Sequence, residues 1–166
     1  MNKIKFKRLH PFFVIPTKAT KYAACFDVVV TELVVKSPSK VYCKLGFSCE
    51  LPKGYKLELV PRSSLTKTNW VLTNSPGQGD YDYRDEYQMR FTCIPSWVNY
   101  ASSGYTHLSN TPVGEYELGY DDFPYEIGDR VGQVFLTKVE DVDWYEVEEL
   151  NDPESNRDGG FGSTGN

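Results

Sequence analysis

The periodic segments of this chain are short, repeat every second residue, and run into a proline or a glycine. Tyr55-Lys56-Leu57-Glu58-Leu59-Val60 stops at Pro61, and Tyr87-Gln88-Met89-Arg90-Phe91-Thr92-Cys93-Ile94 stops at Pro95. Alternation of this kind puts apolar side chains on one face of a strand and polar ones on the other. Tyr22-Ala23-Ala24-Cys25-Phe26-Asp27-Val28-Val29-Val30 passes from small residues to a β-branched run. Ile127-Gly128-Asp129-Arg130 turns into Val131-Gly132-Gln133-Val134-Phe135-Leu136. Val41 to Val60 reads as two short strands joined by Leu51-Pro52-Lys53-Gly54-Tyr55, where Pro and Gly mark the turn. Heptads and internal repeats are absent. A chain patterned this way must bury strand faces against strand faces, so the predicted class is all-β. An aromatic fraction of 14%, with 12 tyrosines, suits that class.

At 166 residues the chain can bury one core and needs no second domain. The reading is a β domain over 1–150 with an insertion at about 95–124, followed by a glycine-rich tail over 151–166. The insertion is too long for a simple loop. Its Tyr100, Tyr105, Tyr116 and Tyr120 could pack an extra hairpin onto the sheet, and it offers a surface for a protein partner. A net charge of −5 disfavours stable binding to nucleic acid or an anionic membrane, so a polyanionic ligand would need a local basic site or a metal ion. No apolar run approaches the roughly 18 to 20 residues that span a bilayer, and Met1-Asn2-Lys3-Ile4-Lys5-Phe6-Lys7 lacks a signal-peptide core. A soluble cytoplasmic protein is expected. Cys25, Cys43, Cys49 and Cys93 have no CxxC spacing, and His10 and His107 stand in unrelated contexts. That disfavours zinc and predicts reduced, packed thiols.

Candidate chemistry gathers where strands end. Asn74-Ser75-Pro76-Gly77-Gln78-Gly79-Asp80-Tyr81-Asp82-Tyr83-Arg84-Asp85-Glu86 reads as a hairpin tip. On an extended arm Asp80 and Asp82 would point the same way and could hold a water or a cation, although a solvated acidic turn has the same composition. Asp27 is the one acid in an apolar run and needs a partner to offset its desolvation. Pro61-Arg62-Ser63-Ser64-Leu65 brings a cation and two hydroxyls to a strand end, suited to an anion or to ordinary turn bonding. Gln133 places an amide among apolar neighbours. In the tail, a cation, an aromatic ring and two hydroxyls among glycines suit a ligand-closing flap as well as a frayed terminus.

Taken in order, these stretches resemble the homotrimeric dUTPase family (dUTP pyrophosphatases). Ala24-Cys25-Phe26-Asp27-Val28 is similar to the first motif, Pro61-Arg62-Ser63-Ser64-Leu65 to the second, and Asn74 to Glu86 to the third. Gly128-Asp129-Arg130-Val131-Gly132-Gln133 is similar to the fourth, and Gly159-Gly160-Phe161-Gly162-Ser163-Thr164-Gly165 to the fifth. The resemblance runs from about residue 20 to the end, leaving out the insertion. It implies a distorted jelly-roll-like β-barrel, a homotrimer with shared active sites, and Mg²⁺-dependent hydrolysis of dUTP to dUMP and pyrophosphate. Such an activity limits uracil in DNA and supplies dUMP for dTTP synthesis, in a host cell's cytoplasm if the protein is virus-encoded.

Carried over residue by residue, the resemblance makes Asp80 the general base that activates the attacking water. Tyr83 would lie under the deoxyribose and exclude a 2′-hydroxyl, while Asn74 and main-chain groups around Gly79 would read the uracil edge. Arg62, Ser63, Ser64 and Gln133 would hold the phosphates. Asp27 would be an outer-shell acid for Mg²⁺. Phe161 would stack on uracil as the tail closes, with Arg157, Gly162, Ser163 and Thr164 around the γ-phosphate. The chain departs from the family pattern at Cys25 and Asp85, where Gly is usual, and at Gln78-Gly79, where an apolar pair is usual. Arg157 lies one residue nearer the glycine pair than the usual Arg. Two alternatives stand beside this reading. One is dCTP deaminase activity, against which Arg90 stands where a Glu would precede Phe91. The other is a regulatory role through the insertion.

Overall fold

The computed structural model describes residues 3–94 and 123–151. Among them are ten strands and no α-helix. β1 (Lys5–Arg8) pairs with β5 (Phe47–Glu50). β2 (Phe26–Val29), β10 (Arg130–Lys138), β6 (Tyr55–Pro61) and β8 (Gly77–Gly79) form one sheet in that order, and β3 (Glu32–Ser37), β4 (Lys40–Lys44), β9 (Gln88–Cys93) and β7 (Trp70–Leu72) form a second. Every pairing is antiparallel. A 3-10 turn, Ser63–Lys67, follows β6. No helix here is long and apolar enough to cross a membrane.

The two-residue period places the core. Leu57 and Leu59 of β6, Val41 and Cys43 of β4, and Met89 and Phe91 of β9 are all buried in one cluster, and on β10 a register shift between Arg130 and Gly132 lets both Val131 and Val134 join it. In the second sheet Val41 lies opposite Phe91 and Cys43 opposite Met89, so apolar pairs stack along one face. The two sheets meet so closely that Gly132 of β10 leaves room for Met89: a Cβ at 132 would collide with the Met89 thioether. Burial pushes the Cys43 and Cys49 thiols up from their ordinary value, and all four cysteines are thiols.

Three features differ from the sequence reading. Val41 to Val60 holds three strands, because Gly46 takes φ +71° and breaks β4 from β5. The stretch from Asn74 to Glu86 is no hairpin between neighbouring strands: β7 pairs with β9 in one sheet and β8 with β6 in the other, so the chain crosses between sheets and returns. Phe123, assigned to the insertion, packs edge-on against Trp70 and Phe91 and belongs with the core. Beyond β10, residues 139–151 form no strand, and Trp144 and Leu150 are 95% and 86% exposed.

Candidate active site

Strand order brings three of the distant polar stretches side by side. β10 lies between β2 and β6, with Gln133 opposite both Asp27 and Val60. Gln133 therefore shares a face with Asp27, the face opposite to that of Leu59 and Val134. Asp27 is only 6% exposed, and each of its carboxylate oxygens accepts one hydrogen bond. Gln133 Nε2 donates to Oδ1 at 2.9 Å and Arg130 Nη1 to Oδ2 at 3.2 Å. Arg62 Nε stands 3.8 Å from Oδ1 and its Nη1 donates to the Arg130 carbonyl at 3.1 Å. The buried acid thus has the partners its desolvation demands. Arg130, 55% exposed, keeps N–H groups for an anion, and Gln133 keeps its second N–H. Ser63 and Ser64 open the 3-10 turn next to Arg62 with their side chains exposed.

The crossing stretch builds a second feature, a cavity of about 500 Å³ walled by Leu59, Asn74, Gly77, Tyr83, Tyr87 and Gln88. Its volume suits a nucleoside. Asn74 is clamped to β9: its Nδ2 donates to the Gln88 carbonyl at 3.1 Å and its Oδ1 accepts the Arg90 N–H at 2.8 Å. One N–H and one lone pair remain for a ligand. Gln78 accepts from Lys56 Nζ at 2.7 Å and donates to the Pro76 carbonyl at 3.2 Å. Gly79 is buried under Tyr87; a Cβ there would sit 2.5 Å from Tyr87 Cε1. The space lost from position 79 is filled from position 87, which accounts for the glycine at 79.

Tyr83 and Tyr87 meet edge to face at 5.1 Å, Tyr87 stacks on Phe47 at 5.2 Å, and Phe47 on Phe13 at 5.3 Å. Tyr83 and Tyr87 are part of the cavity wall, and Phe47 and Phe13 continue the row of rings behind them. Burial pushes the Tyr83 phenol up, with Asp85 adding to the effect, so it is a neutral hydroxyl near neutral pH. Asp80 is exposed, one residue past β8, and its carbonyl accepts the Tyr83 N–H at 3.1 Å. Residues 80–83 are therefore a turn, and Asp80 and Asp82 do not share an extended arm.

Arg157, Phe161, Gly162, Ser163 and Thr164 lie outside the described residues, as does most of the insertion. Sequence reasoning gave no role to Arg130, Glu86 or Tyr87. Arg130 had no signal, because three residues along a strand face the opposite way, and only a register shift between Arg130 and Gly132 brings it onto the Asp27 side. Tyr87 had one only in retrospect, as a bulky residue paired with an unexpected glycine. Among the described residues no cluster of His, Cys, Asp and Glu could cage a metal. Asp27, already bonded to an arginine and an amide, is a poor inner-sphere ligand. The donor set fits Mg²⁺ that keeps its waters and binds through a ligand's phosphate oxygens.

The dUTPase family model matches residues 13–93. The deoxyuridine 5′-triphosphate nucleotidohydrolase of Helicobacter pylori (strain J99) is 33% identical over 165 residues, covering 98% of this chain and 97% of its own. Among solved structures, a mutant Staphylococcus bacteriophage 80alpha dUTPase with dUpNHpp aligns with a TM-score of 0.75 at 22% identity over 99% of each chain. A mutant dUTPase from phage phi11 of S. aureus, whose structure reveals coordination of a structural Mg(II) ion, aligns at 0.64 with 20% identity, covering 91% of this chain and 100% of that one. With a third of its residues identical to a relative matched end to end, the chain belongs to the dUTPase family.

Proposed function

We propose that the chain hydrolyses dUTP to dUMP and pyrophosphate, limiting uracil in DNA and supplying dUMP for dTTP synthesis. The observation that carries this reading is the pairing of a nucleoside-sized cavity walled by Asn74 and Tyr83 with a separate cluster of Arg62, Arg130, Gln133 and Asp27. The cavity takes base and sugar. Main-chain groups of 75–79 and the remaining N–H of Asn74 read uracil; cytosine exchanges donor for acceptor and leaves buried groups unpaired. Tyr83 excludes a 2′-hydroxyl by bulk. Asp80 accepts a proton from water and holds it in line with the α-phosphorus, where positioning supplies much of the rate. The attacking oxygen bonds to that phosphorus as the bond to the bridging oxygen breaks, and pyrophosphate leaves.

Gln133, Ser63 and Ser64 donate to phosphate oxygens, with Arg62 and Arg130 supplying charge. Mg²⁺ would supply charge neutralisation on the leaving group, and Asp27 would help hold it by accepting from its waters. Arg157, Phe161, Gly162, Ser163 and Thr164 of the tail close over the nucleotide. None of Asp27, Arg62, Ser63, Ser64 and Gln133 lines the cavity. We infer that the cavity of one subunit is completed by the cluster of another, in a homotrimer, a reading that the separation of the two within one chain supports. The exposed Val142, Trp144, Tyr145 and Leu150 support assembly, because they leave apolar surface that a partner would cover.

Incubation with dUTP, dCTP, UTP and dTTP plus Mg²⁺ tests the function. We expect dUMP and pyrophosphate from dUTP alone; intact dUTP would refute it.

A further inference from the structure

The turn that carries Asp80 and Tyr83 is closed on itself. Tyr83 N–H donates to the Asp80 carbonyl at 3.1 Å, and Arg84 Nη1 donates to the Tyr81 and Tyr83 carbonyls at 2.7 and 2.9 Å. Such a turn still has to be fixed to the sheets if the Tyr83 ring is to stand at a set distance from a sugar. Glu86 provides that connection. Its Oε1 accepts the Gly46 N–H at 3.0 Å, its Oε2 lies 3.7 Å from Lys44 Nζ, and its own carbonyl accepts the Tyr83 hydroxyl at 3.2 Å.

The receiving end is shaped for this contact. Gly46 takes φ +71°, where a side chain would be strained, and a Cβ there would meet Thr31 Cγ2 at 2.7 Å. Lys44 is held in turn by Glu32 at 3.0 Å. Residue 87 is held independently: Tyr87 N–H donates to the Phe47 carbonyl at 3.0 Å and its carbonyl accepts from Leu45 N–H at 3.1 Å. Loss of the Glu86 carboxylate would therefore free the turn without detaching β9.

We propose that Glu86 is a positioning residue for sugar discrimination: its carboxylate latches the turn to Gly46 and so fixes the Tyr83 ring where a 2′-hydroxyl would fall. This rests on the reading of Tyr83 as the sugar check. The latch acts on selectivity more than on water activation, because Asp80 lies at the opposite end of the turn, next to β8.

The test compares kcat and KM for dUTP and UTP in the wild type and in Glu86→Ala, Glu86→Gln and Tyr83→Phe, alongside Tm and oligomer size. Glu86→Ala should lower the dUTP-to-UTP ratio of kcat/KM about tenfold or more, chiefly through KM. Glu86→Gln keeps an acceptor for Gly46 and should recover most of the ratio. Tyr83→Phe, which loses the hydroxyl bond to the Glu86 carbonyl, should shift the ratio the same way, and adding Glu86→Ala to it should change little more. Should Glu86→Ala fail to fold, Glu86→Asp, a methylene too short for Gly46, supplies the same loss. A folded Glu86→Ala or Glu86→Asp protein with the wild-type ratio would overturn the proposal, as would equal losses in the Ala and Gln variants. A wild type that leaves dUTP intact yet binds dUMP in preference to UMP would sink the hydrolase reading alone. The latch would then be read from that binding ratio.

Discussion

The Asp27 cluster and the Asn74–Tyr83 cavity are built in opposite ways. The cluster stands on three adjacent strands, where the ladder fixes each side chain by register and the charges satisfy one another. The cavity is made by chain crossing between sheets, and is held by side chains bonding to backbone and by a row of aromatic rings. The cluster's weak point is charge balance; the cavity's is packing. Substitutions that remove a charge should damage the first, and those that change volume should damage the second.

The sharpest separation comes from Asp80, which belongs to the chemistry and to neither framework. Asp80→Asn should lower kcat by roughly 10²- to 10⁴-fold while binding of dUpNHpp stays near wild type, as steady-state kinetics and calorimetry would show. Binding lost in step with kcat would make Asp80 part of the cavity instead. On the cluster, Asp27→Ala leaves two arginines and an amide without their shared acceptor. It should destabilise the fold by about 2 kcal/mol, held to that by the partial exposure of Arg62 and Arg130, and denaturant titration checks it. On the cavity, Gly79→Ala drives a methyl into Tyr87 and should cost about 1 to 2 kcal/mol. Adding Tyr87→Leu should recover part of that loss, and no recovery would contradict the pairing of 79 with 87. The smallest effect is chemical: Cys25, half-buried, should react with iodoacetamide in the native protein ahead of the buried Cys43, Cys49 and Cys93. Peptide mapping would show it.

The same contrast governs what could be read from sequence. Alternation in 55–60 and 87–94 identified strands and inward faces, because side-chain period and burial are local properties of a strand. Asp27 and Gln133 stood out for the same reason, each a polar residue in an apolar run. Gly46 was missed because a single left-handed residue leaves no periodic trace. Asn74 to Glu86 reads as a hairpin because Pro and Gly mark a turn but not which strand the chain pairs with next. Glu86 drew no attention, since its partner Gly46 is 40 residues away and bonds through backbone.

Mixing two inactive variants tests whether cavity and cluster of one active site come from different chains. Asp80→Asn removes the water-activating carboxylate from the chain that supplies the cavity, and Gln133→Leu removes an amide from the cluster. In a co-refolded mixture, a site joining the Gln133→Leu chain's cavity to the Asp80→Asn chain's cluster carries neither defect. Hydrolysis of dUTP should return on mixing, to a substantial fraction of the wild-type rate per intact site. If mixed oligomers form and remain as inactive as either variant alone, each site lies within a single chain.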